Sequence, residues 1–429
     1  MIRVVISSTQ PIYFDPYDSQ YYFDYELFQA FRLQVITFIF STLENHRLII
    51  LFQTILSSIS WLYFLYVTQR FFSIKVVKLI YQIAIIFFSF SQIVLLRDSH
   101  ILSESLTLAT SLILCTLVLG FDKSRASHHI GFILALLFFS GIKSTNSVIG
   151  LLIFITYIVY HIFIDKKVFK KRSFLIPLIL SAPIMLNFFH SSISSNITAQ
   201  LNTSAIINFR IWGNNDWKEY LLDQKFPPEL RTIWRDRQEY NLGETPDQGV
   251  INEVIYQNWW SSNGNRFLIT FMTKNPDYTL IGPIFLPLLN PKTDYSHTLI
   301  HGWAQDPRSN FKIIDYELPT DVLWPKERLE SYILIFLMLS LISIYIIMSP
   351  LLGYPAPNLS VNKIIGILIF IILWSYFSWW FGSKPGGDIL RHQEMPSVLI
   401  RLVFLICLFK ILEWLFFRLK NVDFLKFPR

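Results

Sequence analysis

The sequence predicts an all-α polytopic membrane protein of about nine transmembrane helices, with a large, mostly helical subdomain on the outer face. Three observations lead there. Hydrophobic residues make up 52% of the 429 positions and charged residues only 16%, too little charge to clothe a soluble domain of this size. The apolar residues come in blocks of about the length that crosses hydrocarbon, roughly 20 residues in a helix. The cations sit in short links between blocks, and these links alternate so that the cation-rich ones share a face.

Taken in order, residues 1–47 read as an outer loop with an interfacial amphipathic helix over Glu26–Phe40. Met1–Phe14 lacks the apolar core that a signal peptide needs. Residues 48–189 form a first bundle, with spans at Leu48–Thr68, Val76–Leu96, Ser105–Leu119, Ile130–Gly141, Val148–Ile164 and Phe174–Phe189. Residues 190–330 make an outer subdomain, too long for a structureless loop. Residues 331–429 close the chain with spans at Tyr332–Leu351, Ile364–Phe381 and Ser397–Phe417.

Orientation follows from Lys and Arg in the short links. Arg70, Lys75 and Lys78; Lys123 and Arg125; Lys166 to Arg172; Lys363; and the tail with Arg418 fall on one face, read as cytoplasmic. The opposite face receives the N-terminal segment, the 97–104 junction, Gly141–Asn146, the long segment and Gly382–Met395. The net charge of +7 is therefore orientation rather than a nucleic-acid footprint. Cys115 and Cys407 both lie inside apolar runs, which argues against a disulfide framework or thiolate metal site.

The outer segment holds Trp212, Trp217, Trp234, Trp259, Trp260, Trp303 and Trp324. Tryptophans in that setting serve as an aromatic belt at the interface or as a platform for a sugar ring.

The chemistry-bearing residues gather on the outer face. The junction Arg97-Asp98-Ser99-His100-Ile101-Leu102-Ser103-Glu104 places two carboxylates, an arginine and an imidazole at a bilayer interface, where charge is costly and marks a site. A helix beginning near Ser99 would put His100 and Glu104 on one face, with Asp98 as its cap. Asp98 with His100 also has a spacing that a divalent cation, Mg or Mn, can use. Asp15 and Asp18 lie in an aromatic-rich loop, where a carboxylate can serve as general base or simply form a turn. Lys143 opposes the charge trend and is suited to a lipid phosphate or to snorkelling. Arg391 and His392, with Asp388 nearby, precede the last span; arginine binds phosphate with two parallel bonds, and an Asp388–Arg391 pair is the plain alternative.

These residues resemble the membrane-embedded GT-C glycosyltransferases, the superfamily that includes protein mannosyltransferases and aminoarabinose transferases. Asp18-Ser19-Gln20-Tyr21-Tyr22 with Arg32 is similar to the family's first outer loop. Asp98 with Ser103-Glu104-Ser105-Leu106 is similar to its second. Arg391-His392 followed by Pro396 matches a late motif before the last helix, and Asn275-Pro276-Asp277-Tyr278 is similar to a helix start in the long outer loop. The family's spanning helix ahead of the first loop is not visible before Asp18.

The resemblance implies a sugar donor carried on polyprenyl phosphate, a hydroxyl acceptor on a lipid, glycan or protein, inversion at the anomeric carbon, and a bacterial plasma (inner) membrane with the active site on its outer face. Asp18, or Asp15, would be the base. Lys143 and Arg391 would hold the leaving phosphate. Asp98, Glu104, His100, His392 and Arg32 would position acceptor, donor or metal. An outer-face polymerase or ligase using a lipid-diphosphate donor would also account for many spans and outer arginines. A transporter would need charge at mid-span or repeated halves, and the span centres look nearly uncharged.

Overall fold

The computed structural model describes residues 3–4, 34–91, 94, 95, 98, 101, 103–122, 125–163, 195–237, 246–281, 318–324, 328–351, 359–381 and 387–421. Every regular element among them is a helix. The α-helices are α1 (Gln34–Leu43), α2 (His46–Thr68), α3 (Lys75–Ser89), α4 (Ser103–Leu119), α5 (Ala126–Ser140) and α6 (Ser144–Phe163) in the first bundle. The outer segment supplies α7 (Ser195–Ile206), α8 (Asn215–Asp223), α9 (Leu230–Arg237), α10 (Pro246–Ile251), α11 (Val254–Trp259) and α12 (Asn265–Lys274). The C-terminal bundle has α13 (Arg328–Leu351), α14 (Val361–Phe381) and α15 (Gly387–Asn421). The predicted span Phe174–Phe189 lies outside the described residues.

Among the described residues, two stretches are long and apolar enough to cross a membrane: His46–Phe71, with mean hydropathy 1.9, and Met395–Arg418, with 2.2. Five further apolar helices are shorter: Ser103–Leu119, Ala126–Ser140, Thr145–Val159, Ile333–Ser349 and Val361–Phe377. The distribution of side chains on α2 is inside out for water. Leu48, Leu51, Ile55, Ile59, Leu62 and Tyr66 recur at helical spacing and are exposed, whereas Gln53, Ser57 and Ser60 on the other face are fully covered. An aqueous protein buries the first set and exposes the second. The same apolar exposure recurs on α3 at Val76, Leu79 and Ile83 and on α13 at Phe336, Leu337 and Ile347. A hydrocarbon surround removes the cost of that surface.

α2 begins where Asn45 caps it, its Oδ1 accepting from Arg47 N at 2.8 Å, after a left-handed residue at Glu44 (φ 50°). α2 and α4 run parallel: their starts share a small core of Ile49, Ile50, Ile101 and Leu106, and near their ends Gly120 lies against Val67. α1, over Gln34–Leu43, overlaps the end of the interfacial helix expected over Glu26–Phe40, whose first residues lie outside the described ones. Ile36, Thr37 and Phe40 are fully covered and Phe38 is exposed, so the helix docks on the bundle. The helices meet through small polar residues, which allow close approach. Ser147 Oγ donates to Ser140 O at 2.7 Å, and a Cβ on Gly150 would meet Ser140 Cβ at 2.9 Å.

Two boundaries differ from expectation. The span predicted at Val76–Leu96 is helical as α3 only to Ser89, where Phe90 and Ser91 turn the chain. The stretch predicted as a loop before the last span is helical from Gly387 and continuous with it, with Pro396 inside. A proline removes one backbone bond but is tolerated where neighbouring groups take up the freed carbonyl.

The helices between Ser195 and Ile281 close on their own apolar core, in which Ile207, Ile211, Leu221, Phe226 and Leu230 surround Trp234, Trp259 and Trp260. Trp234 stacks on Phe226 at 5.9 Å with an 11° interplanar angle, and Phe226 meets Trp259 edge-on at 4.9 Å. Trp234 is 1% exposed and Trp259 3%. These indoles are therefore neither a belt nor a sugar platform; the subdomain spends them on folding, because each buries a large apolar area. Trp324 is buried too, and Trp303 lies outside the described residues. Three π-helical turns interrupt the α-helices, at Ile207–Ile211, Trp260–Gly264 and Asp277–Ile281. The second exists around a missing side chain. A Cβ on Gly264 would sit 2.7 Å from Trp260 Cε3 and 2.8 Å from Trp259 Cζ3, both ring atoms held in the core. Gly264→Ala is expected to destabilise the subdomain by about 1–3 kcal/mol through overpacking, read as earlier loss of the near-ultraviolet tryptophan dichroism on heating; an unchanged midpoint would contradict this packing.

Candidate functional site

Of the residues singled out at the 97–104 junction, Asp98 and Glu104 are described, and each is held by a partner from elsewhere in the chain. Asp98 is 1% exposed. Its Oδ2 accepts from Arg3 Nε at 2.7 Å and its Oδ1 from Ser105 Oγ at 2.9 Å. Arg3 reaches further, donating to Ser89 O at 3.0 Å and to Ser57 Oγ at 2.8 Å. One guanidinium thus ties the chain start to α2, α3 and the residue ahead of α4. One turn away, Lys143 Nζ bonds Glu104 Oε1 at 3.0 Å, joining the start of α6 to the start of α4. Beneath them Asn146 Nδ2 donates to Thr107 Oγ1 at 3.2 Å and to Phe139 O at 3.0 Å. Asn146 Oδ1 and the Ser111 and Thr54 hydroxyls are buried polar atoms with no hydrogen-bond partner.

Several expectations change here. The helix starts at Ser103, not near Ser99, so Asp98 is not its cap; the arginine and the Ser105 hydroxyl decide its place instead. Glu104 does lie in the first turn, where a carboxylate suits the helix dipole. Lys143 does not snorkel, because a carboxylate waits at 3.0 Å and its side chain is only 16% exposed. His100, Asp15, Asp18 and Arg32 lie outside the described residues. Arg391 and His392 fall in α15, their side chains outside the description, as does that of Asp388. Among the described residues no three of His, Cys, Asp and Glu gather where a metal could be held, and both Asp98 oxygens are taken by Arg3 and Ser105.

Charges that sequence reasoning missed lie in the last helix. Arg401 is 1% exposed and donates to Leu323 O at 2.6 Å and to Ser397 O at 2.9 Å. Its guanidinium lies 3.9 Å from the Trp324 ring centre, and Trp324 stacks on Phe88, the residue before Ser89. A chain of contacts thus runs from α15 to Arg3 and Asp98. Toward the other end Lys410 Nζ bonds Glu413 Oε2 at 2.6 Å and Phe71 O at 2.8 Å, and Glu413 Oε1 accepts from the backbone N–H of Ser73 and Ile74. The expectation of nearly uncharged span centres therefore fails in α15. The available signal was the occurrence of Arg, Lys and Glu inside an apolar run, which marks buried, paired charge.

Of the cation-rich links, those carrying Arg125 and Lys363 lie toward this second end. Lys363 Nζ bonds Leu119 O at 2.7 Å, and Asp122 pairs with Arg125. Asp98, Glu104 and Lys143 all belong to the first end, where Tyr376 Oη near the end of α14 donates to Leu280 O of the outer subdomain at 3.1 Å. Comparisons with protein-family models, with curated proteins and with solved structures find no match. The site is therefore judged by its geometry and by the short motifs that the sequence carries.

Proposed function

We propose that the chain is a nine-span glycosyltransferase of the plasma (inner) membrane that moves a sugar from a polyprenyl-phosphate donor to a hydroxyl at the outer face. The observation that carries this reading is the buried cluster of Asp98, Glu104, Lys143 and Asn146 at the end opposite the cation-rich links. Buried charge at a helix-bundle end costs free energy and is retained where it orients groups for binding or chemistry.

In this reading the acceptor hydroxyl loses its proton to Asp18, with Asp15 as runner-up, and its oxygen attacks the anomeric carbon from the face opposite the phosphate. The C–O bond to phosphate breaks and polyprenyl phosphate leaves with the electron pair. Lys143 and Arg391 are the cations this reading assigns to that developing charge. Glu104 holds the Lys143 ammonium in place before the donor arrives, so little reorganisation remains at the moment of transfer. Asp98, fixed by Arg3, orients the start of α4 through Ser105.

Membranes carrying the chain, supplied with a radiolabelled polyprenyl-phosphate sugar, test the reading. Lys143→Gln is expected to lower transfer about 10²–10³-fold, and Asp18→Asn to abolish it while the protein still inserts and folds. Full transfer by either variant removes that residue from its role. Activity with a diphosphate-linked donor alone would move the assignment to the polymerase or ligase class.

A further inference from the structure

The π-helical turn at Ile207–Ile211 projects Asn208 and Arg210 where an α-helix would place them differently, and such turns recur at functional sites. Arg210 is committed inward: its Nη1 donates to Tyr278 Oη at 3.0 Å. Burial raises the Tyr278 hydroxyl above its ordinary pKa, with the Arg210 charge pulling the other way. Asn208 is also buried, and it works outward. Its backbone oxygen and its side-chain Oδ1 both accept from Arg231 Nη1, at 3.3 and 2.7 Å, so the π turn fixes the guanidinium of a residue on α9.

That guanidinium lies 5.8 Å from the centre of the Trp212 ring, and Lys218 Nζ of α8 lies 5.4 Å from the same centre. Two cations thus attend one half-buried indole. Among the described residues neither has a carboxylate within salt-bridge distance. The sequence explains this: no acid stands three or four positions from Lys218 or from Arg231. Each cation thus keeps its charge unbalanced beside the indole, and an anion placed near it is attracted. Arg231 is exposed and keeps further N–H groups beyond the one held by Asn208.

We propose that Arg231, Lys218 and Trp212 form a binding site for an anionic group on a saccharide, so that the outer subdomain takes an acidic glycan. The fork of a fixed arginine matches a carboxylate or phosphate with two parallel bonds. An indole beside it offers an apolar face to the sugar carrying that group. A lipid surface is a poorer fit, since electrostatic recognition of anionic membranes uses clusters of roughly 4–8 cations and here there are two. The site deepens the proposed function by giving the acceptor a charge and rests on that reading only for the word acceptor.

Equilibrium binding without donor separates this proposal from any failure of transfer. The full chain in an uncharged maltoside detergent is titrated with oligogalacturonate, with a phosphorylated mannan oligosaccharide and with neutral maltotetraose. Vesicles of phosphatidylcholine with and without phosphatidylglycerol are tested alongside. One or both acidic oligosaccharides are expected to bind about tenfold or more tighter than the neutral one, and which of them does so tells carboxylate from phosphate. Lys218→Gln with Arg231→Gln should remove the preference; losing the Arg231–Asn208 bonds lowers the thermal midpoint somewhat, so binding is compared below the midpoint of the variant. Arg231→Lys, which keeps the charge and loses the fork, should fall between. Equal binding of acidic and neutral sugars, an unaltered preference in the double variant, or loss of vesicle binding alone in that variant would overturn the proposal. Should the double variant fail to fold, the Arg231→Lys chain decides by the same comparison.

Discussion

Replacing Glu413 by alanine is expected to cost about 3–5 kcal/mol of stability, the usual penalty for removing one partner of a buried ion pair. The site explains the size. One oxygen of Glu413 accepts from Lys410, and the other serves two backbone N–H groups where the chain turns from α2 into α3. Alanine removes the carboxylate that balances the buried ammonium, which still donates to the Phe71 carbonyl, and leaves the N–H groups of Ser73 and Ile74 without that acceptor. Glutamine should be milder, because its Oε1 can still accept from the backbone. Pairing Glu413→Gln with Lys410→Met removes the cation as well and should recover much of the loss. Thermal unfolding of the four chains in detergent supplies the double-mutant cycle. Additive losses, with no recovery in the pair, would mean that the two side chains do not act as a unit.

Asp98→Asn should be nearly as damaging, again about 3–5 kcal/mol. The amide keeps the shape and can still accept from Ser105, but its NH2 then faces the Arg3 guanidinium, donor against donor. Arg3 keeps Ser57 and Ser89 O and loses the charge that balances it. The expected readouts are a lowered unfolding midpoint and faster proteolysis of the segment ahead of α4. Removing the cation as well, as Arg3→Met with Asp98→Asn, should return part of the midpoint. A single Asp98→Asn chain as stable as the parent would show that Arg3 is not balanced by this carboxylate. Transfer activity is expected to fall with it, since Asp98 holds the start of α4 on which Glu104 sits.

Much of the architecture was legible in the sequence because its cause is local. The free energy of moving apolar side chains out of water adds up along a helix, so the blocks at 48–68, 105–119 and 397–417 announce themselves. The grouping of the links was legible for a similar reason, since a count of Lys and Arg needs no geometry. The links carrying Lys75, Arg125 and Lys363 do meet one end of the bundle. The interest of Asp98, Glu104 and Lys143 was also readable, as charge placed where charge is costly.

Their partners were not readable, and for a definite physical reason. A buried charge is satisfied by whatever donor or acceptor packing brings within about 3 Å, and sequence distance says nothing about that. Arg3 finds Asp98 across 95 positions, and Glu413 finds the backbone at Ser73 across 340. The tryptophans of the outer segment teach the same lesson. Composition permits a belt, a platform or a core, and only the closing of α8, α9 and α11 around Phe226 decides for the core at Trp234 and Trp259. The amino-acid sequence by itself determined that this protein is helical and built of apolar blocks. The tertiary structure alone decided which charges are neutralised, which indoles are spent on folding, and that Lys218 and Arg231 both lie beside Trp212 with no carboxylate of the described residues in salt-bridge reach.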